Sequence, residues 1–347
     1  MFAKKITLVV TLLALSLSGC AAIKERQASQ EENEIYDGVP VEEKTIDQQV
    51  AEGDPYGPPA SDAPAPSAEV AGPPPPPPGS EVPPAPAEAA KLCLLLGPGM
   101  AKALAEAAVL EAIKKAQIPV HCVVGTEMGA VVGALYAYAN GSTNTMQWQL
   151  FKFTKDIYFN FPVLSLRDPK SSGKKLHDFL RGIFRDKKIE ELPVPFATAA
   201  LDSDRDSLFF FERGEVADAL SATLAVPGIF EAWKIGSASY VTGAVSSPAP
   251  IELARKLGGN FFVLVDVTAD NSGAKAGARF QKAFSPVRNL MRLQKKEASF
   301  VIEVKAGAIS YDDFDRQGEI LAAGGRAAEK SVPELKAAWE KWNAGTH

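Results

Sequence analysis

The stretch Val123-Val124-Gly125-Thr126-Glu127-Met128-Gly129-Ala130 decides how the rest of the chain is read. Leading into it, Val120 to Val124 is a short apolar run that stops at a glycine, the pattern of a strand buried on both faces. Leading out of it, Ala130 to Ala139 is an apolar run of helical character. A strand that passes through small residues directly into a helix is the setting of a nucleophile elbow. There the sharp turn holds its central residue at the helix N-terminus. In a hydrolase built this way the central residue is Ser, and here it is Glu127.

Outward from this point the same alternation repeats. Lys91 to Leu96 is a continuous apolar run ending in Gly97, and Ala101 to Ala116 is rich in Ala, Leu, Glu and Lys. These patterns predict a buried strand and a helix. Further strands are expected at Phe196 to Leu201, Ser207 to Phe211 and Phe261 to Val267, with helices starting at Val216, Ile251, Tyr311 and Pro333. Strands alternating with helices predict an α/β fold with a mostly parallel sheet covered on both faces. No internal repeat is present.

The neighbours of the elbow carry a family resemblance. Leu94-Leu95-Leu96-Gly97-Pro98-Gly99-Met100-Ala101-Lys102-Ala103 resembles the Gly-rich oxyanion loop of patatin-like phospholipases, which ends in a basic residue and a small one. Val109-Leu110-Glu111-Ala112 and Gln117-Ile118-Pro119-Val120 resemble that family's first helix and its approach to the elbow. The run from Ala219 to Phe230, with Ser221 and Pro227, is similar to the A-S-x-x-x-P-x-x-F segment. Tyr240 to Pro250 stands where members carry D-G-[GA] and a Pro-containing turn. The resemblance covers nearly all of residues 91 to 335 in order and implies a three-layer α/β/α patatin-like fold.

In that family a Ser-Asp dyad does the chemistry. The Ser attacks an ester carbonyl, the Asp is the base, and the loop amides hold the oxyanion. By resemblance, Gly97, Pro98, Gly99, Met100 and Lys102 form the oxyanion loop, and Gly125, Thr126, Met128 and Gly129 form the elbow. This chain has Glu127 at the Ser position and Thr242 at the Asp position. A carboxylate is a poor nucleophile toward an unactivated ester, and Thr242 cannot act as a base near neutral pH. No intact catalytic pair is therefore expected. A carboxylate at a helix N-terminus is favoured by the dipole and by free amides. Glu127 either occupies the oxyanion loop, with Lys102 nearby, or points into solvent from a tolerant turn. Ser221, Ser246 and Ser247 are thin candidates for another nucleophile, since nothing in the sequence supplies a His or carboxylate at triad-like spacing. Asp202 and Asp266 end strands, where Asp more often caps the following turn. The aromatic segment Phe151, Phe153, Ile157, Tyr158, Phe159 and Phe161 either caps the cleft or touches membrane, or is a core helix followed by a strand, which is the plainer reading.

The remaining features bound the setting. Lys4 and Lys5 followed by the apolar run Ile6 to Leu17 read as an export signal over residues 1–19. Leu17-Ser18-Gly19-Cys20 resembles the bacterial lipobox, in which the Cys is acylated. Ala21 after it points, by resemblance to Gram-negative lipoproteins, to the outer membrane, at its periplasmic face or surface. Residues 20–90 read as the lipidated Cys and a disordered linker with the run Pro73 to Pro78, since Pro lacks the amide donor and fixes φ. Such a tether reaches on the order of 100 Å or more. A spacer is the expected use, a docking motif for Pro-binding modules the alternative. Residues 91–340 are the expected domain and 341–347 a tail. Cys93 and Cys122 each sit in an apolar run and read as buried thiols, with oxidation of the pair in an exported protein as the alternative, for which their strand spacing gives no geometric reason. His121, His177 and His347 lie far apart, so no metal site is expected, nor any cofactor. A net charge of −5 without a basic stripe argues against nucleic acid. The reading that results is a membrane-anchored, catalytically inactive domain that binds lipid or acyl groups or regulates an envelope partner. An acyl hydrolase with a non-standard nucleophile is the alternative.

Overall fold

The strand β1 (Leu92–Leu96) is buried over its whole length, and its neighbours explain why. In the computed structural model, which describes residues 89–161, 170–270 and 277–345, β1 lies between two parallel partners. On one side is β2 (Cys122–Gly125) and on the other β7 (Phe261–Asp266). Its side chains alternate between two cores, Leu92, Leu94 and Leu96 facing the larger and Cys93 and Leu95 the smaller. A strand covered on both faces needs apolar residues at every position, which is why the run reads as unbroken.

The sheet has eight strands in the order β5-β6-β3-β2-β1-β7-β8, with β4 also paired to β3. The strands β3 (Phe196–Asp202) and β8 (Phe300–Glu303) extend the parallel part. Antiparallel pairing adds β4 (Ser207–Phe211), β5 (Trp233–Ile235) and β6 (Ala238–Thr242). The sheet is thus mostly parallel, as the alternation of strands and helices leads one to expect.

The larger core packs under α1 (Glu106–Lys115), entered through the 3-10 turn Met100–Ala105, and under α2 (Met128–Tyr138). Two shorter helices follow, α3 (Thr143–Leu150) and α4 (Lys155–Tyr158), then α5 (Lys174–Phe184) and α6 (Val216–Leu224). The smaller core is closed by α7 (Ile251–Lys256) and by Met291 of α8 (Ala278–Gln294). The long C-terminal helix α9 (Gln317–Asn343) lies along α1.

Several expectations are corrected. Helices were expected from Tyr311 and from Pro333, yet one helix runs through both halves and starts only at Gln317. Tyr311 precedes it, buried and stacked on Phe284 at 4.1 Å. Pro333 sits inside α9, where its missing amide is tolerated because Val332 and Leu335 on either side are held in the core. The helices α3 and α4 and the strands β5, β6 and β8 are too short to have been anticipated. The helices α5 and α8 were missed although apolar residues recur at helical spacing in both, Leu176, Leu180 and Phe184 in the one and Phe284, Val287 and Met291 in the other. Cys93 and Cys122 are not separate thiols. They are register partners on adjacent strands with Cα atoms 4.6 Å apart, and they form a disulfide. The chain carrying Cys20→Ala should therefore show no reactive thiol when unfolded without reductant, and two after reduction. The signal region, Cys20 and the linker as far as residue 88 lie outside the described residues.

Candidate functional site

The site forms at the C-terminal ends of β1 and β2, beside the point where the strand order reverses between β1 and β7. Open parallel sheets place their crevices there. Two glycines make the turn possible. A Cβ on Gly125 would lie 2.5 Å from the Ala130 Cα, and one on Gly129 would lie 2.4 Å from the Gly97 carbonyl oxygen. Both are backbone contacts, so α2 starts this close to β2 and to the Gly97 loop only because side chains are absent. Between them Glu127 has φ 53° and ψ −128°. A non-glycine residue held there carries strain of roughly 1–3 kcal/mol. The surroundings hold it fast. The Glu127 amide donates to Thr223 Oγ1 (3.1 Å), whose hydroxyl donates to the Ala199 carbonyl (2.8 Å). Thr126 donates to the Pro248 carbonyl at 2.7 Å, and Thr198 to the Gly125 carbonyl at 2.8 Å.

The strained turn aims the Glu127 carboxylate back at the loop Gly97–Met100, which is buried throughout. Its Oε2 accepts from the amides of Gly99 (2.8 Å) and Met100 (2.7 Å). Its Oε1 accepts from the Tyr158 hydroxyl. Glu127 is fully buried, and burial raises its pKa, while Tyr158 and the amides of Met100, Met128 and Gly99 act in the opposite sense. Tyr158, at the end of α4, is itself buried under an aromatic cluster. Its ring centroid is 4.5 Å from Phe314, 4.9 Å from Phe159 and 5.6 Å from Phe230. The aromatic segment is therefore a cover over the elbow. Within it Phe153, Tyr158 and Phe159 are buried, Ile157 and Phe161 half-buried, and Phe151 exposed.

Thr242 ends β6 and is buried. Its amide donates to the Ala225 carbonyl, and its hydroxyl oxygen accepts from the Ala244 amide (3.3 Å), capping the turn that follows. Lys102 was expected beside Glu127, but its ammonium reaches the Asp270 carbonyl (3.3 Å) and lies 4.7 Å from the Tyr311 ring centroid. Burial pushes its pKa down to about 8, against the charge of Asp270, which raises it. Tyr158, from the aromatic segment expected either to cap the cleft or to lie in the core, takes the place beside the carboxylate.

A second buried carboxyl lies behind the loop. Glu106, at the start of α1, has no hydrogen-bond partner for either oxygen among the described residues. The Gly97 amide leans toward it and lowers its pKa, but that N–H donates to the Val265 carbonyl at 3.3 Å. Burial, with the charges of Glu127 and Asp266 adding to it, pushes the Glu106 pKa well above the usual carboxylate range. A carboxyl whose folded pKa is raised contributes stability at low pH that is lost as pH rises through the folded value. Glu106→Met should therefore raise stability by about 1–3 kcal/mol and flatten the alkaline limb. Urea midpoints at neutral and alkaline pH check this.

The other expected positions behave as follows. Asp202 accepts from the amides of Asp204 (2.9 Å) and Arg205 (3.1 Å), and Asp266 from the amide and hydroxyl of Thr268 (both 2.7 Å). Both cap turns, and Asp266 also pairs with Lys295 at 2.5 Å. Ser247 accepts from Gln294 (2.8 Å), and the Ser246 amide donates to the Gly243 carbonyl. Ser221 does have a histidine. His177 Nδ1 lies 3.0 Å from Ser221 Oγ and 3.8 Å from Asp218 Oδ1. The sequence hid this because 44 residues separate His177 from Ser221. The arrangement is no relay, since one nitrogen serves both neighbours and the Ser221 hydroxyl donates to the Ala217 carbonyl at 2.8 Å.

Residues 94–255 match the family model described as patatin-like phospholipase. The chain is 25% identical over 189 residues to an uncharacterised NTE family protein of Mycobacterium tuberculosis, covering 53% of this chain and 51% of that protein. It is 27% identical over 183 residues to patatin-like phospholipase domain-containing protein 6 of Homo sapiens, covering 51% of this chain and 13% of that one. It thus spans about half the length of the mycobacterial relative and far less of the human one. Among solved structures, VipD from Legionella pneumophila aligns with a TM-score of 0.46 and 10% identity, over 71% of this chain and 67% of that one. Residues 94–255 of the chain thus carry a patatin-like phospholipase domain.

Proposed function

We propose that this patatin-like domain is a pseudoenzyme, held inactive by its own elbow residue, that binds acyl lipid or regulates an envelope partner. The observation that carries the reading is the Glu127 carboxylate on the amides of Gly99 and Met100. Those are the donors that would stabilise a developing oxyanion, and they are already occupied by a negative group. The base position supports the same reading, because the Thr242 hydroxyl is spent on a turn. An acyl group entering this site has to displace Tyr158. The chain acts from a lipid anchor at Cys20 on the periplasmic face or surface of the outer membrane. Metabolic incorporation of palmitate that disappears with Cys20→Ala tests the anchor.

The reading of the site is tested by hydrolysis of short-chain p-nitrophenyl esters and of a phospholipid. The parent chain should be inert, and Glu127→Ser/Thr242→Asp should gain at least about tenfold over it, roughly 1.4 kcal/mol of barrier. Hydrolysis by the parent that survives Glu127→Ala overturns the proposal. A second reading, hydrolysis through Ser221, is favoured by the His177 contact alone. Labelling of Ser221 by a fluorophosphonate probe would establish it, since only an activated Ser reacts.

A further inference from the structure

The helix α3 hides one face and, among the described residues, leaves the other without a partner. Thr143, Met146 and Leu150 are buried, and Gln147 is tied to Glu111 at 2.8 Å. On the outer side Trp148 is 67% exposed and Phe151, three residues on, is 52% exposed. Residues three apart on a helix share a side, so the two rings form one protrusion. Beside it runs a groove of about 560 Å³ between the end of α3 and α5. Its walls include the rings of Tyr138 and Phe179 and the aliphatic chain of Ile183, and its charged groups are Lys152 and Arg185, with no carboxylate. The Lys152 ammonium bonds the Gln149 side chain at 2.9 Å and lies 5.8 Å from the Trp148 ring centroid, so the cation and the aromatic protrusion belong to one surface. Among the described residues neither cation is matched to an acidic partner.

We propose that this face, Trp148 and Phe151 with the Lys152–Arg185 groove, docks onto an anionic phospholipid bilayer. The chemistry on the page selects that occupant. Indole and phenyl rings that stand clear of the surface suit the boundary between headgroups and acyl chains, and Lys and Arg at their base suit the lipid phosphates. A groove with cations and no carboxylate is complementary to negative charge. A protein partner is a poorer match. Two protruding rings offer at most about 150–250 Å² each, well below the roughly 800 Å² per partner of a stable interface. This inference does not depend on whether Glu127 silences the site.

The test uses the chain from residue 20 onward with Cys20→Ala, so that neither the apolar run Ile6 to Leu17 nor an acyl anchor can reach the bilayer, and vesicles of phosphatidylcholine alone or with an equimolar share of phosphatidylglycerol. The chain should sediment with the phosphatidylglycerol vesicles, and Trp148→Ser/Phe151→Ser should weaken partitioning about tenfold. Lys152→Glu/Arg185→Glu should abolish the preference for the anionic vesicles. The blue shift of tryptophan emission on binding should vanish in Trp148→Phe while sedimentation persists. All these side chains are exposed or line an open groove, so unchanged thermal melting verifies the fold of each variant. No sedimentation of the parent, or full binding by Trp148→Ser/Phe151→Ser, overturns the proposal. Self-association that the same pair of substitutions abolishes would reassign the face to a second copy and overturn it equally.

Discussion

Glu127→Ala should lower the stability of the chain by about 3 kcal/mol, whereas Glu127→Gln should stay within about 1 kcal/mol of the parent. The alanine leaves the Gly99 and Met100 amides and the Tyr158 hydroxyl buried without their acceptor. Each unsatisfied group costs about 1–3 kcal/mol, partly offset because a buried carboxylate no longer has to be desolvated. For a domain of this size the loss corresponds to roughly 6–12 °C in Tm. Glutamine keeps an oxygen for the two amides, and its NH2 can donate to the Tyr158 oxygen. The pH dependence separates the two further. Because burial raises the Glu127 pKa, the parent holds a contribution at low pH that it loses as pH rises through the folded value. The glutamine protein should not show that loss. Thermal unfolding across this range reads both effects. An alanine variant as stable as the parent would mean the carboxylate does not hold the loop. The same variant should bind a fluorescent fatty acid more tightly than the parent, since the acceptor that latches Tyr158 is gone.

Gly324→Ala and Gly325→Ala, one residue apart in α9, should act in opposite directions. A Cβ on Gly324 would lie 2.0 Å from the Ala105 carbonyl oxygen and 2.8 Å from its carbon. Both are backbone atoms at the turn that leads from the Gly97–Met100 loop into α1, so neither can swing aside. The helix would have to back away from its contact with α1, at a cost of about 3 kcal/mol or more. At Gly325 a Cβ meets nothing within 4 Å. There alanine should stabilise by about 0.5–1 kcal/mol, through the helix propensity that glycine lacks. Chemical denaturation of the two proteins checks this. Equal effects would mean that α9 is not seated on Ala105 as described.

The expectations that held for the fold were those resting on local pattern. A continuous apolar run marks a strand with neighbours on both sides, and β1 and β7 read that way. The spacing of Gly125 and Gly129 marks a strand that turns directly into a helix, and β2 and α2 do so. Short elements escaped notice, among them α4 and β5, and so did α5, although Leu176, Leu180 and Phe184 recur on one side of it between Lys174, Lys175, His177 and Arg181. Pro333 misled in the other direction. A proline is a strong local signal for a helix boundary, but here burial of its neighbours outweighs the lost hydrogen bond.

The sequence by itself determined the alternation of β1, β2, β3 and β7 with α1, α2, α6 and α7, the sharp turn from β2 into α2, and the residues Glu127 and Thr242 that stand there and at the end of β6. These follow from short-range rules, in which a residue's type and its near neighbours fix the backbone. Only the tertiary structure decided what meets what. Strand order brings Cys93 opposite Cys122, and the fold of the segment after α3 lays Tyr158 over Glu127. Packing of α5 on α6 sets His177 against Ser221, and Lys102 turns to Tyr311. Each of these contacts joins residues 28 or more apart in the chain. No local periodicity encodes such a pairing, because it depends on which surfaces the sheet buries together once it has formed.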